Sequence, residues 1–341
     1  MDTYVKVHSV LEAKRAAARA GGPSCEGPRV LVAGPMDVGK STLSRLLANY
    51  AVRCGWAPVV VDLDLGQGGL TPPGTLAALP LDAPLPPHGG VPLDLALVYF
   101  YGAPSPGDNP ELFTHCVGRL AAALDARATA APQTRAAGCV INTCGWVDGL
   151  GKSLLVEAAV ALRADVVLVL GAERLHAELC ATFASAGRRV DCVALRKSGG
   201  VVVRPVEARR AARSQRTREY FYGPSSGPHL SPHAGSARFD DLRVYRVGGG
   251  PRAPPSALPV GAAPAAHPLR VAPVQPGVEL LHALLGVSHA AEPGELLTAN
   301  CAGFIAVTDV DTQQRRISFL APAPGPLPGK FLLLGSIKWL D

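Results

Sequence analysis

Aromatic side chains are scarce: Phe, Tyr and Trp make up 5% of the 341 residues, with three tryptophans, and methionine occurs twice. A core must therefore be filled mostly by Ala and Leu. The eight cysteines include no C-x-x-C pair, so zinc and disulfide frameworks are both unsupported. Several, Cys139 and Cys192 among them, sit in apolar runs where Cys acts as a small hydrophobe. That usage fits a reducing compartment, cytosol or nucleus. No apolar run reaches the ~18 residues a bilayer span needs, and residues 1–8 lack the apolar stretch of a signal peptide, so no membrane partner is expected. There is no internal repeat, no basic cluster that reads as a nuclear import signal, no H-E-x-x-H and no Ser/His/Asp arrangement. The nine histidines are scattered and read as surface residues.

What is present is a chain long enough for two domains, 48% hydrophobic and 18% charged, which excludes wholesale disorder. A net charge of +6 permits a polyanionic partner without requiring one. Residues 9–20 read as a helix and 21–28 as its break. Short apolar runs at 29–33, 58–63, 95–101, 138–143, 165–170 and 190–195 read as strands. They alternate with helices at 41–54, about 110–127, 153–162, 172–184 and 204–218. That alternation predicts an α/β domain with a parallel sheet flanked by helices. Residues 71–94, rich in Pro and Gly, read as an excursion. From Tyr220 the pattern changes to strands at 242–247, 303–310, 315–320 and 331–340, with Pro/Gly-rich connections at 249–276 and 321–329. The expected organisation is an N-terminal helix and linker (1–28), a P-loop domain (29–219) and a smaller, mostly β C-terminal domain (220–341).

Gly34-Pro-Met-Asp-Val-Gly-Lys-Ser is a full G-x-x-x-x-G-K-[ST] match, preceded by a strand and followed by a helix. Its backbone N–H groups and the helix N-terminus suit phosphates. Lys40 is expected to reach the β/γ-phosphates and Ser41 to hold Mg²⁺. Asp64 sits at the carboxyl end of the second strand, where ligands bind in open α/β sheets. There it can ligate Mg²⁺, take a proton from an attacking hydroxyl, or simply cap the next turn. Asp62 shares its face, deeper in the strand. Gln67 suits a phosphate, a water or the turn itself. Thr143-Cys-Gly145-Trp146 follows a buried strand; Trp146 is either a stacking platform for a base or core. Six arginines crowd 204–218, with Arg209, Arg213 and Arg216 on one helical face. They suit a lid closing on a triphosphate, a grip on an RNA backbone, or a solvated face. Lys197-Ser-Gly-Gly200 before them looks like a hinge and favours the lid, spanning about 197–218.

In their order these segments resemble the Clp1 family of polynucleotide 5′-hydroxyl kinases, a subunit of pre-mRNA cleavage factor II that also associates with the tRNA splicing endonuclease. The resemblance rests on Gly-Pro-Met-Asp-Val-Gly-Lys-Ser-Thr (34–42), Asp-Leu-Asp-Leu-Gly-Gln-Gly (62–68), Cys-Val-Ile-Asn-Thr-Cys-Gly-Trp-Val (139–147), Lys-Ser-Gly-Gly-Val (197–201) and Arg-Glu-Tyr-Phe-Tyr-Gly (218–223). It implies ATP-dependent phosphorylation of RNA 5′-hydroxyl ends in pre-mRNA 3′-end processing and tRNA splicing, in the nucleus. It implies ATP contacts from Gly34, Asp37, Val38, Gly39, Lys40, Ser41 and Thr42, and Mg²⁺ ligands Ser41 and Asp64. Catalytic roles fall to Lys40, Asp64, Arg204 and Arg209, and RNA contacts to Gln67, Thr143, Gly145 and Trp146. Two departures stand out. Met36 replaces the family's usual Thr, and only a short segment precedes the P-loop strand, so the family's N-terminal β domain of ~100 residues is expected to be missing. An ATP-bound scaffold of weak activity is the competing reading. A GTPase-type switch would want an N-K-x-D-like segment, which is not found.

Overall fold

The computed structural model describes residues 2–22, 25–86, 91, 93, 95–224, 229–248 and 267–340. Helix α1 (Asp2–Ala20) starts a full two turns before the expected residue 9. Tyr4, Leu11, Arg15 and Ala18 are its buried residues, and that helical spacing lays one face against the sheet while the polar remainder stays in water. Packing of that face holds the polar first turns helical, where propensity alone gives little reason to extend them.

The first sheet is built from β1 (Arg29–Ala33), β2 (Val59–Asp62), β3 (Thr75–Pro80), β4 (Leu97–Phe100), β5 (Cys139–Asn142), β6 (Val166–Leu170) and β7 (Asp191–Leu195), in the order β4-β3-β2-β5-β1-β6-β7. The five strands from β2 to β7 run parallel. The edge pair differs from the expected parallel arrangement: β3 is antiparallel to β2, and β4 to β3. Strand β3 lies within the segment read as an excursion. Its short run is preceded by Pro72, Pro73 and Gly74 and ends on Pro80, and these punctuators mask the strand. Residues 87–90, 92 and 94 of that segment lie outside the described residues. Strands β1 and β6 are buried along their whole length, as expected of strands covered on both faces.

Helices α2 (Lys40–Arg53), α3 (Pro110–Ala130), α4 (Pro132–Arg135), α5 (Leu150–Ala161) and α6 (Glu173–Ser185) connect these strands. One face of the sheet packs α3, α5 and α6 through Leu120, Leu155, Leu162 and Phe183. The other packs α1 and α2 through Leu11, Leu43 and Leu47. Helix α7 (Val206–Tyr222) runs past the expected boundary at 219/220. Its last turn carries Tyr220 and fully buried Phe221, whose ring stacks on Trp339 with centroids 5.4 Å apart.

The second sheet orders β8 (His233–Arg238), β9 (Arg243–Val247), β10 (Val271–Val274), β11 (Ala283–Ser288), β12 (Cys301–Asp311), β13 (Arg316–Ala321) and β14 (Phe331–Lys338) as β10-β9-β14-β11-β12-β13-β8. All neighbours are antiparallel except β14 and β9. Three of the seven strands lie outside the expected set. Polar, Gly-containing β8 and proline-containing β10 are edge strands, and β11 is a short apolar run that periodicity cannot assign. Residues 249–266 of the expected 249–276 connection lie outside the described residues. The two sheets meet closely: Ser336 N–H donates to Gly102 O at 2.7 Å, and the Phe100 ring lies 2.7 Å from where a side chain on Gly286 would begin.

Candidate active site

A single groove of about 850 Å³ opens at the carboxyl ends of β1, β2 and β5. Its walls include the P-loop, the turn after β2, Gly145–Trp146, the segment before α7 and one face of α7. Of the nucleotide-, RNA- and metal-contacting and catalytic residues expected from the sequence, all but Gly34 and Thr143 line it; Asp62, Arg210 and Arg218 do not.

The P-loop backbone explains its own composition. Gly34 has φ +145°, and a Cβ there would stand 2.6 Å from Leu170 O. Gly39 has φ +94°, facing Val201 at 3.2 Å. Asp37 takes a left-handed φ of +53°, uncommon for a residue with a side chain. Lys40 is buried and donates to Pro35 O at 2.7 Å. Burial lowers its pKa, opposed by the charge of Asp64. The Ser41 hydroxyl lies 3.5 Å from Asn142 Oδ1.

The two carboxylates of the β2 turn divide their work. Asp62 is buried and accepts from Asp64 N (3.1 Å), Gly69 N (2.6 Å) and Asn142 Nδ2 (3.0 Å). That triple acceptance ties it to shaping the turn. Asp64 Oδ1 accepts from Gly66 N at 3.1 Å and Gln67 N at 3.0 Å, yet Asp64 also lines the groove. It therefore both caps the turn and faces the space where phosphates would lie. Burial, and then the neighbouring Asp62 charge, push its pKa up from 3.8 to about 6.

The lid arginines converge on the P-loop. Arg204 Nε donates to Asp37 Oδ1 and its backbone N–H to Oδ2, both at 3.1 Å, and Arg209 Nη1 donates to Oδ2 at 3.0 Å. Burial pushes the Asp37 pKa up, but the Arg204 bonds and both guanidinium charges outweigh it and hold the carboxyl below its ordinary value. Gln67 completes the contact: its Nε2 donates to Arg209 O at 3.0 Å and its Oε1 accepts from Arg204 Nη1 at 3.2 Å. Gln67 thus straps the turn after β2 to the start of α7 and the segment before it.

Trp146 sits on the rim, 37% exposed, with its ring packed over Gly107 and Gly151. A Cβ on Gly145 would collide with the Met36 backbone, so glycine lets this segment lie against the P-loop. Thr143 is buried and its hydroxyl donates to Val32 O at 2.7 Å. It braces β5 against β1 instead of offering a contact to the groove.

Several groove residues escaped the sequence reading. Beneath the groove wall, buried Asn142 joins Ser41 to Asp62, and its place at the end of a buried strand was the available signal. Tyr4 of α1 reaches the groove from ahead of the helix expected at 9–20, and Arg45, one turn along α2, joins Arg213 and Arg216 on the wall. Burial and the nearby Arg216 charge lower the Arg45 pKa. Nor are the histidines all fully exposed: among those described, His8, His115, His176 and His282 are partly buried.

The family model described as mRNA cleavage and polyadenylation factor CLP1 P-loop matches residues 34–223, and that described as Pre-mRNA cleavage complex II protein Clp1 matches 230–341. The chain is 48% identical over 346 residues to the protein CLP1 homolog of Arabidopsis thaliana, covering all of this chain and 77% of that protein. It is 44% identical over 339 residues to the polyribonucleotide 5′-hydroxyl-kinase Clp1 of Homo sapiens, covering 99% of this chain and 78% of that one. Two solved structures of Clp1p with Pcf11p superpose over the whole chain and 80% of theirs, with TM-scores of 0.84 and 0.83 at 26% and 25% identity. The first concerns an extended Pcf11p–Clp1p interface and ATP loss in a point mutant.

Proposed function

Because the chain belongs to the Clp1 family, we propose that it is a polyribonucleotide 5′-hydroxyl kinase that moves the γ-phosphoryl group of ATP onto an RNA 5′ end. One observation carries this reading: Lys40, Asp64, Arg204 and Arg209 line one groove, so phosphate-binding cations and a proton acceptor flank a common space. A nucleotide switch that only positions water gains little from such a base; a kinase uses it on the acceptor hydroxyl.

Backbone N–H groups of residues 37–42 hold the β- and γ-phosphates, and Lys40, desolvated and a bond away from Pro35 O, turns to them. The Ser41 hydroxyl and the Asp64 carboxylate are hard oxygen donors on the same wall, which fits Mg²⁺. When bound, that ion neutralises charge between the phosphates. Asp64 takes the proton of the 5′-hydroxyl as it attacks in line. Arg204 and Arg209 exchange Asp37 for the moving phosphoryl oxygens. Trp146 stacks on the terminal base, with Arg45, Arg213 and Arg216 facing the RNA backbone. Catalysis on this account is positioning and charge neutralisation.

The names of the relatives and the Clp1p–Pcf11p complexes support a role in pre-mRNA 3′-end processing, with an RNA 5′ end as substrate and a cleavage factor subunit as partner. We extend this to tRNA splicing, with the tRNA splicing endonuclease as a second partner, and to the nucleus. A scaffold of low turnover is the second reading, supported by the neighbours being solved as complexes with Pcf11p. Incubation with γ-labelled ATP, Mg²⁺ and 5′-hydroxyl RNA separates the two. Label on RNA that is lost in Asp64→Asn and Lys40→Ala supports the kinase. ATP bound without transfer rejects it in favour of the scaffold.

A further inference from the structure

Away from the groove, three side chains of metal-binding type converge between α1 and the end of α2. His8 and Glu12 stand four residues apart on α1, so they project from one face. Cys54 is the C-cap of α2. One ligand atom from each lies within 4.8 Å of the other two, and Cys54 Sγ is 3.8 Å from His8 Nε2.

We propose that His8, Glu12 and Cys54 form a binding site for a borderline-soft divalent ion of the zinc class, clasping α1 to the helix whose opposite end carries the P-loop lysine. Donors about 2.0–2.3 Å from a tetrahedral zinc stand roughly 3.3–3.6 Å from one another, so the set needs to close by no more than about an ångström. One imidazole, one thiolate and one carboxylate select zinc over Mg²⁺ or Ca²⁺, which want oxygen alone.

A second observation is independent of spacing. Glu12 Oε2 and His8 Nδ1 are buried with no hydrogen-bond partner; Oε2 has only the ion pair with Arg15, and the imidazole nitrogen is left with nothing, which costs free energy unless something else satisfies it. The other Glu12 oxygen accepts from Trp56 Nε1 at 2.5 Å, and fully buried Arg15 stands behind the carboxylate, Nη1 3.6 Å from Oε2. Trp56 and Arg15 thus orient Glu12 as outer partners orient ligands in metal sites. Cys54 is exposed, which leaves a fourth position for water. On binding, the Cys54 thiol gives its proton to solvent and the sulfur pair goes to the metal.

The test uses the untagged full chain and Co²⁺ as the probe. Titration is expected to produce cobalt–thiolate charge-transfer absorption together with tetrahedral d–d bands, and to quench Trp56 fluorescence. Calorimetry with Zn²⁺ is expected to give one site, weakened on the order of 100-fold or more in Cys54→Ser and in Glu12→Gln, with Mg²⁺ unable to displace it. Circular dichroism and ATP binding show that the variants fold. Absence of the thiolate band in the wild-type chain, or unchanged Zn²⁺ affinity in Cys54→Ser, would overturn the site.

Discussion

Asp64 holds two conflicting duties in one carboxylate. Its native pKa of about 6 stands above the ordinary 3.8, so between those values the folded chain carries a proton that the unfolded chain has lost. Its contribution to stability is therefore greatest at low pH, falls as pH rises through that window, and is unfavourable above it. At about 1.4 kcal/mol per pKa unit the upper bound is on the order of 3 kcal/mol. Asp64→Asn keeps an acceptor for Gly66 and Gln67 and cannot ionise. It is expected to raise stability near pH 8 by about 1–3 kcal/mol in urea melts while phosphoryl transfer disappears. In the wild type, turnover should climb about tenfold per pH unit below 6 and level off above it, because only the ionised carboxylate accepts the proton. Trp146 makes the second prediction at this scale. Trp146→Ala should weaken RNA binding by about 1–3 kcal/mol in a fluorescence titration and leave ATP affinity unchanged.

At the scale of elements, the lid and the P-loop are joined through Asp37. Asp37→Gly tolerates the left-handed backbone and removes only the carboxylate. Amide exchange at Arg204 is then expected to quicken about tenfold or more, in line with the loss of charge-assisted hydrogen bonds. The contrast between legible and illegible features follows chain distance. The P-loop is contiguous: eight residues and two flanking elements contain all the physics of a phosphate cradle, so the motif could be read directly. Asp64 was readable because it ends a strand, although that reading left Mg²⁺ ligand, base and turn cap as rivals; the structure shows the turn-cap bonds and a place on the groove wall. Gln67 stayed ambiguous because its partner, Arg209 O, lies 142 residues away. Thr143 was expected to face RNA, but at a strand end one rotation decides between groove and Val32 O. Likewise, no spacing rule connects His8 and Glu12 to Cys54, or Tyr4 to the groove. Those meetings come from packing α1 on α2, which periodicity predicts only as an apolar face.

At the scale of the whole molecule, the two sheets and the lid share one seam. Tyr220 accepts a hydrogen bond from Phe304 N–H at 3.0 Å, Phe221 stacks on Trp339, and a Cβ on Gly335 would strike Gly102 O. Phe221→Ala should cost about 3–5 kcal/mol. If the seam couples the two units, the wild type should unfold in one transition by calorimetry and Phe221→Ala should split it in two.

The same embedding gives α7 a mechanical character. Its 17 residues make a rod about 25 Å long, with Phe221 buried near one end and Arg209 near the other, held to the P-loop through Asp37. A tilt of about 5° at the Phe221 end swings the other by about 2 Å, the difference between a guanidinium touching a phosphate and missing it. On the proposed mechanism, a protein that shifts the second sheet would therefore move the arginine end of α7 along with it.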